Sequence, residues 1–156
     1  MKVLFVSLIC SVAFATTVVA QSDIKLKIGA KLPYKYLPRE DKEERRIATH
    51  PSQSRPFIEN TIAGVKYTIA FDEETRKIRY IHTMDRAFRT TNGLHVGSKI
   101  EVTQEQIHSF GGWYTFAGTT PDGWQIISAK DEASLGEWKE GQTKTIIIGG
   151  FSKGGN

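Results

Sequence analysis

The sequence predicts an α+β fold: a largely antiparallel β-sheet with one short helix packed on a face, in a single domain. Three observations lead there. Apolar residues alternate with polar ones at period two across 65–71 and again across 78–84. A Thr-Thr-Pro-Asp-Gly connection at 119–123 separates two further apolar stretches, with proline presetting φ and glycine closing the turn. No β-helix-β alternation recurs, which argues against a parallel sheet wound by crossover helices.

Ahead of that domain, residues 1–20 read as an export signal. Lys2 supplies the cationic start, Val3 to Phe14 the apolar run, and Val18 and Ala20 the small residues that a signal peptidase accepts. The run is too short to cross a bilayer core of about 30 Å, which sets cleavage after Ala20 above a retained anchor. Cys10, the one cysteine, follows Ile9, whereas a lipid-modified cysteine needs a small residue before it. Cleavage therefore leaves a cysteine-free product that forms no intramolecular disulfide, unusual for a small secreted eukaryotic domain. Neither Asn60 nor Asn92 sits in an Asn-x-Ser/Thr acceptor. A bacterial periplasmic or extracellular location is the expectation. The net charge of +4 drops by one with Lys2 and is too mild to demand nucleic acid.

Residues 21–150 are long enough for one core and too short for two ordinary domains. At its start Ile24, Leu26 and Ile28 alternate with Lys25 and Lys27, the pattern of a strand with one wet face, ended by Gly29. From 33 to 56 four prolines surround the charged run Arg39 to Arg46. An extended arm or long functional loop is expected, with at most a short solvated helix across the run. Val65 to Phe71 and Ile78 to Met84 form a hairpin about a polar connection.

The expected helix spans 99–110. Ser98 and Glu101 make a capping box, Ile100, Ile107 and Phe110 share a helical face, and Gly111 offers a stop. A rival reading makes Lys99 to Val102 a strand and starts the helix at Thr103, with Gln106 as its box partner. Trp113 to Ala117 and Trp124 to Ala129 form the second hairpin, and Thr143 to Gly149, with Ile146 to Ile148, reads as a buried strand. Residues 151–156 read as a flexible tail.

No motif specifies a reaction. Gly150-Phe151-Ser152-Lys153-Gly154 matches the Gly-x-Ser-x-Gly elbow in letters but lacks the following helix that orients its serine. His50, His82, His95 and His108 are too far apart for a metal motif, which places two ligands within one turn or tight loop. His82 shares the alternation of Ile78 and Tyr80, so the inward face of its strand is expected. Asp72, Glu73, Glu74, Asp85, Asp122, Asp131 and Glu132 fall mostly in turns, where solvation explains them. Neither a Walker loop nor Gly-x-Gly-x-x-Gly occurs. No cofactor, metal or catalytic residue is assigned.

Two surfaces are the binding candidates. Arg76, Lys77, Arg79, Arg86 and Arg89 interleave with Tyr80 and Phe88, the ingredients of a polyanion or single-stranded nucleic-acid surface. Trp113 and Trp124 follow Gly-Gly and Asp-Gly and could project as a platform. The expectation is an exported domain without catalytic activity that binds a protein or other envelope component, with nucleic acid disfavoured by export. A small hydrolase with a loop-built site and a structural cell-surface protein are the alternatives.

Overall fold

The computed structural model describes residues 24–37, 45–50, 52–103, 106–110, 113–116, 120–131, 136, 137 and 139–154; for 50, 107–110, 113–116, 130 and 131 it describes the backbone alone. Among them the chain is almost entirely β. The strands are β1 (Arg46–His50), β2 (Gln53–Ile62), β3 (Val65–Phe71), β4 (Ile78–Thr83), β5 (Lys99–Thr103), β6 (Ile107–Phe110), β7 (Trp113–Phe116), β8 (Gln125–Asp131) and β9 (Thr143–Gly154). Every pairing is antiparallel, in the order β1-β2-β3-β4-β9-β8-β7-β6, with β5 paired to β9 off that path.

The α+β expectation is overturned, since no helix packs on the sheet among the described residues and the single named helical element is the 3-10 turn Tyr34–Tyr36. The predicted helix over 99–110 is replaced by β5 and β6. Ser98 does not cap; its hydroxyl instead meets the His95 N–H at 3.1 Å and the His95 ring at 2.8 Å. The rival helix fails more narrowly. Thr103 N–H does donate to Gln106 Oε1 at 3.0 Å, but Ile107 then enters a strand. In both stretches strand pairing overrides local capping signals: the 143–147 half of β9 offers residues 99–103 a complete ladder, and β7 pairs residues 107–110.

Two other expectations are corrected. Residues 24–28 form no strand: Lys27 N–H bonds Lys25 O and Ala30 N–H bonds Lys27 O, which closes a turn at Ile28-Gly29. Residues 46–56, expected in a loop or arm, pair as β1 and the start of β2, with Pro56 opposite Arg46 at the outer strand. The short helix entertained for Arg39 to Arg46 lies mostly outside the described residues. Both predicted hairpins form, as β3–β4 and β7–β8.

The tail beginning at 151 is also corrected, because β9 runs on to Gly154 with Phe151 fully buried and Ser152 nearly so. This strand organises the fold. Its first half pairs with β5; from Phe151 to Gly154 the same edge pairs with β4, and residues 148–152 pair with β8 on the other side. The handover falls at Gly149-Gly150, where a Cβ would stand 2.6 Å from Ala129 Cα at the first and 2.9 Å from Thr83 O at the second. Only glycine permits strands to approach so closely.

The core lies on one face of β3, β4, β9 and β8. Ile69, Ile78, Ile81, Ile148 and Phe151 form its floor, and Ile24, Leu32, Phe88 and Val102 cover it. Phe88 is the aromatic centre, 4.8 Å from Trp124, 4.9 Å from Phe151 and 6.2 Å from Tyr67 between ring centroids. Trp124 is held at the turn by its N–H to Thr120 Oγ1 at 2.9 Å, while the Thr120 hydroxyl donates to Asp122.

Candidate functional site

The N-terminal segment 24–37 has no ladder of its own and is fastened to the start of β4. Leu32 is fully buried, and Leu32 N–H donates to Arg76 O at 2.8 Å. Gly29 N–H donates to Ile78 O at 2.7 Å, and Ile78 N–H returns a bond to Ala30 O at 2.8 Å. The β3–β4 connection is itself shaped for this contact. Asp72 Oδ1 accepts from the Thr75 N–H and hydroxyl, so its carboxyl stays below the usual range, and Arg76 turns left-handed at φ +57°. The Arg76 guanidinium then bonds Leu32 O at 3.1 Å and lies 3.4 Å over the Tyr34 ring.

The consequence is a concentration of positive charge. Lys31 bridges to Lys77 through the backbone, and Lys25, Lys27 and Lys31 line an open cavity of about 460 Å³ with Ile28, Gly29 and Ala30. No carboxylate lines it. Among the described residues Lys25, Lys27, Lys31 and Lys77 enter no ion pair, and all four are exposed. Of the acids of the hairpin, Asp72 faces Arg55 at 3.5 Å and Glu73 pairs with Arg46, while Glu74 is exposed. Tyr34 is 73 % exposed and Ile28 37 %, so apolar surface stands among the cations.

A second cavity, of about 300 Å³, opens on the opposite face of the sheet from the core, between Glu59, Lys66, Thr68, His82, Thr83, Met84 and Asp85. Here the charges are satisfied internally. Glu59 is held by Lys66 and Arg45, each at 3.0 Å, which lowers its carboxyl. Asp85 accepts from the Ala87 and Lys66 N–H groups and is lowered too. His82 was expected to face inward, but the bulge on β4 between Ile78 and Tyr80 puts Ile78 and Ile81 on the core face and turns His82 away from it. Burial against its neighbours still lowers its pKa, favouring the neutral ring.

The residues singled out from the sequence do not assemble into one surface. Arg76 is tied to the lysine-bearing segment through Leu32 and Tyr34, whereas Arg86 and Arg89 lie beyond the other end of β4, roughly 16 Å along the strand. Arg89 donates to the Arg86 and Phe88 carbonyls instead of standing free. Arg79 is half-buried with its Nε unbonded, and its charge acts on Asp72. Tyr80 bonds Ser152 across to β9, and burial raises its phenol. Trp124 is core, 6 % exposed, with Lys153 over its ring, so it offers no outward platform. The Trp113 side chain lies outside the described residues.

Sequence reasoning missed Lys25, Lys27 and Lys31. A signal was present, since residues 24–39 carry Lys25, Lys27, Lys31, Lys35 and Arg39 without one acid. No protein-family model matches the chain, and no curated protein or solved structure is significantly similar to it.

Proposed function

We propose that the chain is an exported, non-catalytic binding domain whose partner is an anionic component of the bacterial envelope. One observation carries the reading: three lysines line one cavity and, among the described residues, no carboxylate lines it with them and none of the three enters an ion pair. Like charges held together raise the energy of the free protein, and an anionic partner relieves it. The fully buried Leu32 and the bonds to Arg76 and Ile78 fix the backbone beneath them, so the cations are presented from an ordered surface.

A hydrolase would draw on the second cavity, where His82 is the available base. Both carboxylates there are already held, and the neighbouring Ser152 is buried and bonded to Tyr80, which favours binding over hydrolysis. The test is retention from a bacterial envelope extract on the immobilised exported protein. Expected is a partner released by raising salt and lost when Lys25, Lys27 and Lys31 are all replaced by Glu. Retention indifferent to both changes, or turnover of an ester or wall substrate, would overturn the proposal.

A further inference from the structure

Charge alone does not account for the lysine surface, because its apolar residues are placed as deliberately as its cations. Ala30 N–H bonds Lys27 O at 3.0 Å, and Gly29 sits at φ +83°, which together make a type II turn with Ile28 at its tip. Lys27 precedes that tip and Lys31 follows it. Tyr34, three residues past Lys31, is the most exposed of the large hydrophobic side chains. Of the four such side chains exposed among the described residues, two therefore fall within this one segment.

A soluble polyanion or an acidic protein patch would be matched by the lysines alone and leave Ile28 and Tyr34 in water. A membrane surface takes both parts. Its phosphates meet lysine ammonium groups, and the boundary between headgroups and acyl chains accepts the exposed third of Ile28 and the amphipathic ring of Tyr34. The position along the chain agrees. Only three residues separate Ala20, the end of the apolar leader, from the buried anchor Ile24, a reach of about 14 Å at full extension. Until the leader is cleaved, that tether holds the folded segment within reach of the leaflet.

We infer that the turn at Ile28 and its surrounding cations, Lys25, Lys27, Lys31, Arg76 and Lys77, dock the protein on the surface of an anionic phospholipid bilayer. This deepens the reading of an anionic partner and rests on it. Docking is peripheral: lysines bind headgroup phosphates while Ile28 and Tyr34 enter the interface. No segment crosses, in keeping with the absence, among the described residues, of any helix long and apolar enough to span a membrane.

The experiment uses the exported protein as cells release it, with sedimentation on vesicles of phosphatidylglycerol and phosphatidylcholine in equal parts, on pure phosphatidylcholine vesicles, and binding to soluble polyphosphate. The expected result is salt-sensitive partition onto the anionic vesicles alone. Replacing Lys25, Lys27 and Lys31 by Glu lowers it by about a hundredfold or more. Ile28→Ser lowers vesicle binding by roughly tenfold and leaves polyphosphate binding unchanged. All these side chains are exposed, and circular dichroism checks that the variants keep the sheet. Binding to polyphosphate without binding to vesicles, or an Ile28→Ser variant that partitions like the parent, overturns the lipid surface while leaving an anionic partner standing. Binding to neither, together with no salt-sensitive retention from envelope extract, sinks both.

Discussion

The two cavities of this chain contain similar numbers of charged side chains and have opposite electrostatics. Around His82 each charge has a counterpart: Glu59 lies between Lys66 and Arg45, and Asp85 is capped by two backbone N–H groups. Around Ile28 the cations have none. Charge density does not separate the sites; the difference is whether folding itself supplies the counter-charge. Where it does, the surface is complete in water. Where it does not, the remaining interaction is with something outside the chain.

The largest expected effect comes from a ring that lines neither cavity, Trp124 in the aromatic cluster around Phe88. Trp124→Ala is expected to cost about 3–5 kcal/mol, the loss of a large buried ring, read as a fall in thermal midpoint. Anionic binding should survive in whatever fraction stays folded, whereas a tryptophan serving as a platform would lose binding without losing stability. Next is Gly154→Ala. That position has φ +78°, its Cβ would stand 2.1 Å from Arg79 O, and Ile28 Cδ1 is 2.9 Å away. The expected cost is roughly 2–4 kcal/mol from left-handed strain and overpacking. Faster hydrogen exchange at the β4–β9 pairs should accompany it, together with weaker binding at the Ile28 surface.

A smaller effect distinguishes the cavities by pH. Glu59 and Lys66 from β2 and β3, Tyr80 on β4 itself, Asp85 after it and Ser152 on β9 surround His82. Its folded pKa is lowered, so as pH falls below about 6.5 the unfolded chain takes up the proton first. Stability should be fully present above that pH and decline as pH falls toward 5. The carboxylates with lowered values add their losses only at more acidic pH. Denaturant titrations should show the decline in the parent and a flat line across the same window for His82→Gln.

The smallest effects give the sharpest contrast. Lys66→Ala removes one of two partners of Glu59 and should cost less than about 1 kcal/mol, as an exposed pair does. Lys27→Ala has no pair to lose and should leave stability unchanged in the same melt, yet it should weaken binding to anionic vesicles. Equal behaviour of the two variants in both assays would erase the distinction between the cavities.

The sequence was legible where one strand follows the next. Both hairpins could be read because each strand shows one apolar face and each turn has its own chemistry. The stretch from Ser98 to Phe110 misled because Ser98, Glu101 and the i, i+7 pair of Ile100 and Ile107 fit a helix, while the partner that decides its first half, residues 143–147, lies some forty positions away, and its second half pairs with the next strand, 113–116. The same distance hid the site. Arg76 was visible as a cation, but its companions come from residues 25–31, brought to it by bonds to Leu32 and Ile78 that no local pattern contains. The alternation of Ile24, Leu26 and Ile28 described burial for the first two and failed for the third, which a glycine turn lifts into solvent.

Strand β9 carries a consequence for how the molecule is made. It leaves the ribosome after the other eight described strands, and β4, β5 and β8 all require it as a neighbour. Until it emerges, the two hairpins have no common sheet, and contacts spanning some seventy residues, such as Thr83 with Phe151, cannot form. A nascent chain of this topology stays open until β9 has emerged, the state in which a polypeptide can be threaded through a membrane before it folds.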